Sequence, residues 1–302
     1  MRASLRPGHA ARLGLALAFA LVQPGSARAQ VGDVSPVPLD AFARGVEQQS
    51  LEARAGALAP APRLVVALLV DQFRDQDLDR FRSVYGKDGF RRLIDGGARF
   101  RDCTIPYAAT LTGPGHATWL SGANPASHGI VGNDWFDPAM GRMVGAAEDA
   151  SVLSVGLPPG VRGEPASPRW MKAQTVADVL RERTSGAARV VGISDKARSA
   201  ILPSGHHPTG AYWLDGESGL MQTSTWYAAA LPAWAATQNV ERRKAIDRAR
   251  REPWERALPD AAYLGTVIAD PRDVFPHTVA AGENGGPSEI DLGAHPVSLA
   301  TL

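Results

Sequence analysis

The sequence predicts an α/β fold built on a largely parallel central sheet. Three observations carry this. Leu64-Val-Val-Ala-Leu-Leu-Val70 is an unbroken apolar run that stops at Asp71. Ala188-Arg-Val-Val-Gly-Ile193 is a second buried-strand run. Segments with helical spacing of apolar residues alternate with these runs. A strand covered on both faces is apolar throughout, and alternation with helices favours parallel crossovers.

The elements follow in order. Residues 30–62 are rich in Ala, Pro and Gly without sustained periodicity, so a linker is expected there and organised structure from Arg63. After the 64–70 strand, Leu78, Phe81 and Val84, then Phe90, Leu93 and Ile94, keep helical spacing up to Gly96-Gly97. Residues 100–105 alternate like a second strand. Residues 112–120 follow a loop and read as a helix start. Residues 134–148 carry the Pro and Gly turns of a short hairpin. Residues 174–183 predict a helix with Val176, Val179 and Leu180 on one face. Residues 211–227 predict two short strands around Gly216-Glu-Ser-Gly219. Residues 232–257 are charged and helical, and the last twenty-five residues are loop-like.

Composition narrows the functional classes. The 302 residues carry 32 Lys+Arg against 31 Asp+Glu, a net charge of +1. That balance argues against nucleic-acid binding through a broad basic surface. Hydrophobic residues at 44% and charged residues at 21% belong to a folded chain, not a disordered one. Only four basic residues are lysine, at 87, 172, 196 and 244. Cys103 is the single cysteine. An internal disulfide and a Cys-based zinc site are therefore excluded, which leaves His, carboxylate or hydroxyl ligands for any metal.

The amino terminus reads as a signal peptide over residues 1–29. Arg2, Arg6 and Arg12 precede the apolar run 13–22, and Ala27-Arg28-Ala29 offers a cleavage site before Gln30. That run is too short to span a bilayer. The expected organisation is a signal over 1–29, a linker over 30–62 and a catalytic-type domain over 63–302. The mature chain is expected in the periplasm or secreted, without a membrane anchor.

Four places can carry chemistry. Asp71 stands at the carboxyl end of a buried strand, where sheets of this type bind ligands, and serves either as a metal or base residue or as a turn cap. In Thr110-Leu-Thr-Gly-Pro-Gly-His116 a hydroxyl meets a helix N-terminus. The free N–H groups there favour an alkoxide and bound anions, or Thr112 is simply the cap. Asn133 follows a Gly-rich turn and can donate to a phosphoryl oxygen. Lys196 and Arg198 follow the strand 188–193. If the chain is extended there, both side chains point to one side and suit a dianionic group.

Taken together these stretches resemble a known family. Val65-Val-Ala-Leu-Leu-Val-Asp-Gln72, Ala109-Thr-Leu-Thr-Gly-Pro-Gly-His-Ala-Thr118, His128-Gly-Ile-Val-Gly-Asn-Asp-Trp135 and the segment from Gly192 to Gly205 are similar to the exported phosphate-irrepressible alkaline phosphatases. These belong to the alkaline phosphatase superfamily, close to the type I phosphodiesterase/nucleotide pyrophosphatase family. The resemblance covers about residues 63–280. It implies an alkaline phosphatase-like α/β sandwich, incomplete in this chain, and two zinc ions in the complete enzyme. It implies that Thr112 is nucleophile and zinc ligand and that Asp71 is a zinc ligand. Asn133, Lys196 and Arg198 would bind phosphoryl oxygens. The lysine–arginine pair implies small phosphate monoesters as substrates over diesters or sulfate esters. A non-catalytic anion-binding module is the alternative from another class.

The metal ligands that the family draws from its later half are not matched. The seven histidines lie at 9, 116, 128, 206, 207, 277 and 295, and none directly follows an aspartate. Asp273/His277 and Asp291/His295 have the family's Asp-x-x-x-His spacing but lie in loop-like sequence and are read as chance. His206 and His207 are read as turn or substrate-side residues. The expectation is an amino-terminal fragment with half a metal site and little activity of its own.

Overall fold

The computed structural model describes residues 62–100 and 103–253. The expected signal peptide, most of the linker, Asp273/His277 and Asp291/His295 lie outside the described residues. Contacts divide the chain into residues 1–67 and 68–302. Of the first unit, residues 62–67 are described, and Leu64, Val65 and Val66 there are exposed.

In the second unit, helices α1 (Asp75–Arg80) and α2 (Phe90–Gly96) come first. The Phe73 and Phe90 rings stack at 4.9 Å. Helix α3 (Thr112–Ser121) and the short α4 (Pro125–His128) lead into a hairpin of β1 (Asp134–Asp137) and β2 (Arg142–Gly145). Then come β3 (Ser154–Val155), α5 (Val176–Arg183), β4 (Val191–Ser194), α6 (Ala197–Ile201), β5 (Gly210–Leu214), β6 (Met221–Ser224) and α7 (Ala233–Ala249). A four-stranded sheet runs in the order β3-β6-β5-β4. β4 and β5 pair in parallel, and the other two pairings are antiparallel. The α/β class stands, and the described sheet is mixed rather than largely parallel.

The difference lies in the two runs expected as further strands. Residues 64–70 form no strand and join no ladder among the described residues, and Leu68 and Val70 stay exposed. Residues 103–105 are not a strand either. An apolar run becomes a buried strand only when neighbours pair with both its edges, and no described strand does so here. The hairpin, the β5–β6 pair and α7 follow the sequence expectation, with α7 ending at Ala249.

The core is built from small residues against a few large ones. Trp213 is fully buried among Ala147, Ala166, Ala197, Ala200, Ile201 and Ala211. Ala117, Ile130, Ala146, Met171 and Leu202 form a second cluster, under α3 and the turn that follows α4. Asn239 of α7 locks onto β6, accepting from Met221 N at 2.7 Å and donating to Met221 O at 2.8 Å.

Helix α5 shows a polar residue overriding an apolar stripe. Val176, Val179 and Leu180 are exposed, while Ala177 and Asp178 are buried. Thr175 caps the helix and shares a reciprocal capping box with Asp178. Asp178 also accepts from His206 N at 2.7 Å and His207 N at 3.1 Å. His206 Nε2 lies 2.8 Å from Met171 O, so both histidines serve a fixed turn. Burial alone pushes the Asp178 carboxyl up in pKa. The N–H donors of Thr175, His207 and His206 outweigh it, and the net shift is downward.

Asp178→Ala orphans three backbone donors and is expected to cost about 3 kcal/mol of unfolding free energy in urea titration. The Asp178 pKa is depressed in the folded state. Its contribution is therefore full above the ordinary aspartate range and is lost as pH falls through the lower folded value. The variant's acid unfolding curve should lack that part of the pH dependence.

Candidate active site

Helix α3 begins at Thr112 because Leu111 is extended and the next four residues can close the first turn. Gly113 is buried, and a Cβ there would stand 2.7 Å from Gly132 O and 3.3 Å from the Ala146 Cβ. Only glycine lets the helix start lie this close to the 130–133 turn. That approach brings Asn133 Oδ1 within 2.7 Å of Gly113 N, which donates to it. The amide is thereby oriented: its carbonyl is used, and its NH₂ is left to donate elsewhere. The Asn133 carbonyl accepts from Ala146 N at 2.8 Å, tying the turn to β2's end.

The Thr112 hydroxyl donates to Asp71 Oδ2 at 3.2 Å, across forty-one residues of chain. His116, one turn along α3, sends Nδ1–H to Thr112 O at 2.9 Å and stands 3.8 Å from Asp71 Oδ1. The histidine is buried, whereas Asp71 is 44% exposed. Asp71, Thr112, His116 and Asn133 share a cleft of about 600 Å³ whose walls include Tyr107 and Trp119. A second cavity of about 320 Å³ is lined by Asn133, Ala146, Glu148, Glu164 and Arg198. Asn133 is thus the common wall of both.

The sequence-predicted residues are only partly brought together. Asp71, Thr112 and Asn133 converge in one cleft. Arg198 joins through the adjoining cavity, and its Nε is buried without a hydrogen-bond partner among the described residues. Lys196 lines neither cavity. The reason is local. Lys196 is the extended N-cap of α6, whereas Arg198 is already helical, so the extended spacing that would align them is absent. Residues two apart in a helix diverge by about 200°. His116 was not singled out from the sequence as a site residue. Its signal was the i,i+4 spacing from Thr112 on a helix.

The oxygens of Asp71 and Thr112 fit a shared metal ion. Two oxygens on one tetrahedral zinc stand about 3.4 Å apart at ordinary bond lengths, close to the observed separation. They supply two of the four ligands such an ion needs. Among the described residues there is no cluster of three or more His, Cys, Asp or Glu side chains able to hold a metal.

The α/β fold and the comparisons place the chain in the alkaline phosphatase superfamily. Residues 65–278 match the family model for type I phosphodiesterase / nucleotide pyrophosphatase, and the chain belongs to that family. It is 43% identical over 175 residues to alkaline phosphatase PafA of Elizabethkingia meningoseptica, covering 58% of this chain and 32% of that protein. It is 40% identical over 211 residues to alkaline phosphatase PhoV of Synechococcus elongatus, covering 70% of this chain and 38% of that one. The crystal structure of wild-type PafA aligns with a TM-score of 0.64 at 39% identity, over 68% of this chain and 39% of that chain. A PafA variant with threonine, asparagine, lysine and arginine positions substituted aligns with a TM-score of 0.66 at 34% identity, over 79% and 45%. The chain therefore spans about a third of the curated relatives it matches.

Gly113→Ala should separate α3 from the 130–133 turn. The added methyl meets backbone and core and is expected to cost about 1–3 kcal/mol, measured by thermal or urea unfolding.

Proposed function

We propose that this site serves phosphate monoester hydrolysis in an exported, zinc-dependent enzyme, with Thr112 as nucleophile. The observation that carries the reading is the 3.2 Å contact of Thr112 Oγ1 with Asp71 Oδ2 at a helix N-terminus. The four substituted residue types of the PafA variant add support. Its threonine–asparagine and lysine–arginine intervals equal those between Thr112 and Asn133 and between Lys196 and Arg198.

The chain's own groups would act as follows. Asp71 orients the Thr112 hydroxyl and holds its proton. Thr112 Oγ attacks phosphorus in line, the bond to the leaving oxygen breaks, and the released alcohol takes a proton. The product on the protein is a phosphothreonine, which water then cleaves. The Asn133 NH₂ and the Arg198 guanidinium neutralise charge on the equatorial oxygens, and the start of α3 adds the positive end of its dipole. Lys196, at the N-cap of α6, would be the second member of the pair that selects a dianionic monoester. Asp71 and Thr112 would hold a zinc ion, which when bound would supply Lewis acidity at the hydroxyl. With two oxygen donors among the described residues, the site is expected to bind zinc weakly and to turn over slowly.

The substrates are small phosphate esters rather than nucleic acid. Export follows from the basic start, apolar middle and small-residue exit of residues 1–29. No helix among the described residues is long and apolar enough to cross a membrane. Sequencing the exported protein should give Gln30 as its first residue.

The matched family model makes diester hydrolysis the second reading. Inorganic phosphate titration and paired turnover assays decide between the two. Asn133→Ala and Arg198→Ala should each weaken phosphate binding about tenfold or more. Lys196→Ala and Arg198→Ala should cut monoester turnover far more than diester turnover, and equal losses would favour the diesterase. Thr112→Ala should abolish both turnover and trapping of a phosphothreonine. Phosphate binding indifferent to zinc, with no turnover, would instead mark an anion-binding module.

A further inference from the structure

His128 sits behind the site, fully buried and outside the lining of both cavities. It closes α4, and its main chain is held at both ends. Its N–H donates to Asn124 O, and its carbonyl accepts from Lys172 N, each at 2.9 Å. Gly129 follows at φ +83°, turning the chain toward Ile130 and Asn133.

The ring contacts fix its tautomer. Ile130 N lies 3.1 Å from Nδ1 and can only donate, so Nδ1 carries the lone pair. The ring proton is then on Nε2, 3.1 Å from Thr118 Oγ1, which accepts it. Burial, the largest influence, pushes the imidazole pKa down and keeps the ring neutral. Thr118 lies less than two turns after Thr112 on α3, and Asn133 lies three residues after Ile130. One buried ring therefore bridges the helix that carries the nucleophile and the turn that carries Asn133. The Gly113–Asn133 hydrogen bond ties the same two segments at the start of α3.

We propose that His128 is a positioning residue whose Nε2–H tautomer sets the spacing between α3 and the 130–133 turn, and so aims Asn133 at the phosphoryl group. The aim at phosphate rests on the function proposed above; the clasp itself does not. A bound oxyanion is sensitive to donor placement at the level of about 0.5 Å. The turn is also tied to β2's end through Asn133 O and Ala146 N. A second tie to α3, further along the helix, fixes the turn's angle to α3 as well as its distance.

The test uses the full chain. His128→Ala would open a core cavity, so Thr118→Val, which keeps the shape and removes the hydroxyl, carries the measurement. Side-chain nitrogen NMR should show His128 protonated at Nε2 and bare at Nδ1; the opposite tautomer overturns the proposal. Amide exchange at Gly113 should speed up about tenfold in Thr118→Val, and unchanged exchange overturns it. Titration with inorganic phosphate should show about tenfold weaker binding for Thr118→Val alone and no further loss when it is added to Asn133→Ala. Equal losses in both backgrounds would show that the hydroxyl does not act through Asn133. A wild-type chain that fails to bind phosphate would sink the proposed function, while tautomer and exchange would still decide the clasp.

Discussion

The hydrogen bond from Gly113 N to Asn133 Oδ1 is the contact on which the site depends. It needs two backbones closer than any side chain would allow, since a Cβ on Gly113 would meet Gly132 O. Small residues make that approach possible. Ala117 and Ala146 fill the space beneath it, and Ile130 and Leu202 cover it. In return the bond satisfies the Gly113 N–H; of the next two residues Pro114 has no N–H and Gly115 N donates to Leu111 O at 2.9 Å. The same contact thus orients the asparagine and sets the helix start.

The Asn133–Arg198 side and the Asp71 side of the site are built differently. Asn133 is held by its carbonyl and by its main chain. Arg198 emerges from the first turn of α6, whose other residues Ala197, Ser199, Ala200 and Ile201 are buried. These donors are anchored in packed structure and need little reorganisation to meet a phosphoryl group. Asp71, by contrast, follows the exposed 64–70 run and is nearly half exposed. Its place is set by one hydroxyl and by His116 at 3.8 Å. A carboxylate in that setting is stabilised by water as much as by protein, and a surface contact of that kind contributes little by itself.

The motif residues were legible because each sits where a backbone rule puts it. Thr112 precedes a Gly-Pro-Gly helix start, and Asn133 follows a glycine turn into a hairpin. What failed to show were facts set by tertiary neighbours. Residues 64–70 read as a buried strand, but a strand is buried by its partners and not by its own composition. Val176, Val179 and Leu180 form an apolar stripe, yet α5 buries Asp178 because three N–H groups require that carboxylate. Lys196 and Arg198 read as an aligned pair only while the chain is taken as extended, and α6 begins between them. His116 and His128 carried no visible role, since a histidine's function depends on what its two nitrogens face.

Arg198 Nε is buried and has no hydrogen-bond partner among the described residues. A buried donor without an acceptor costs about 1–3 kcal/mol in the free protein. Glu148, which shares its cavity, is already engaged by Gly145 N and Arg142 and does not relieve it. Beside an oriented asparagine amide, such a donor suits an acceptor with several oxygens, and charge-assisted bonds to an oxyanion would recover that cost.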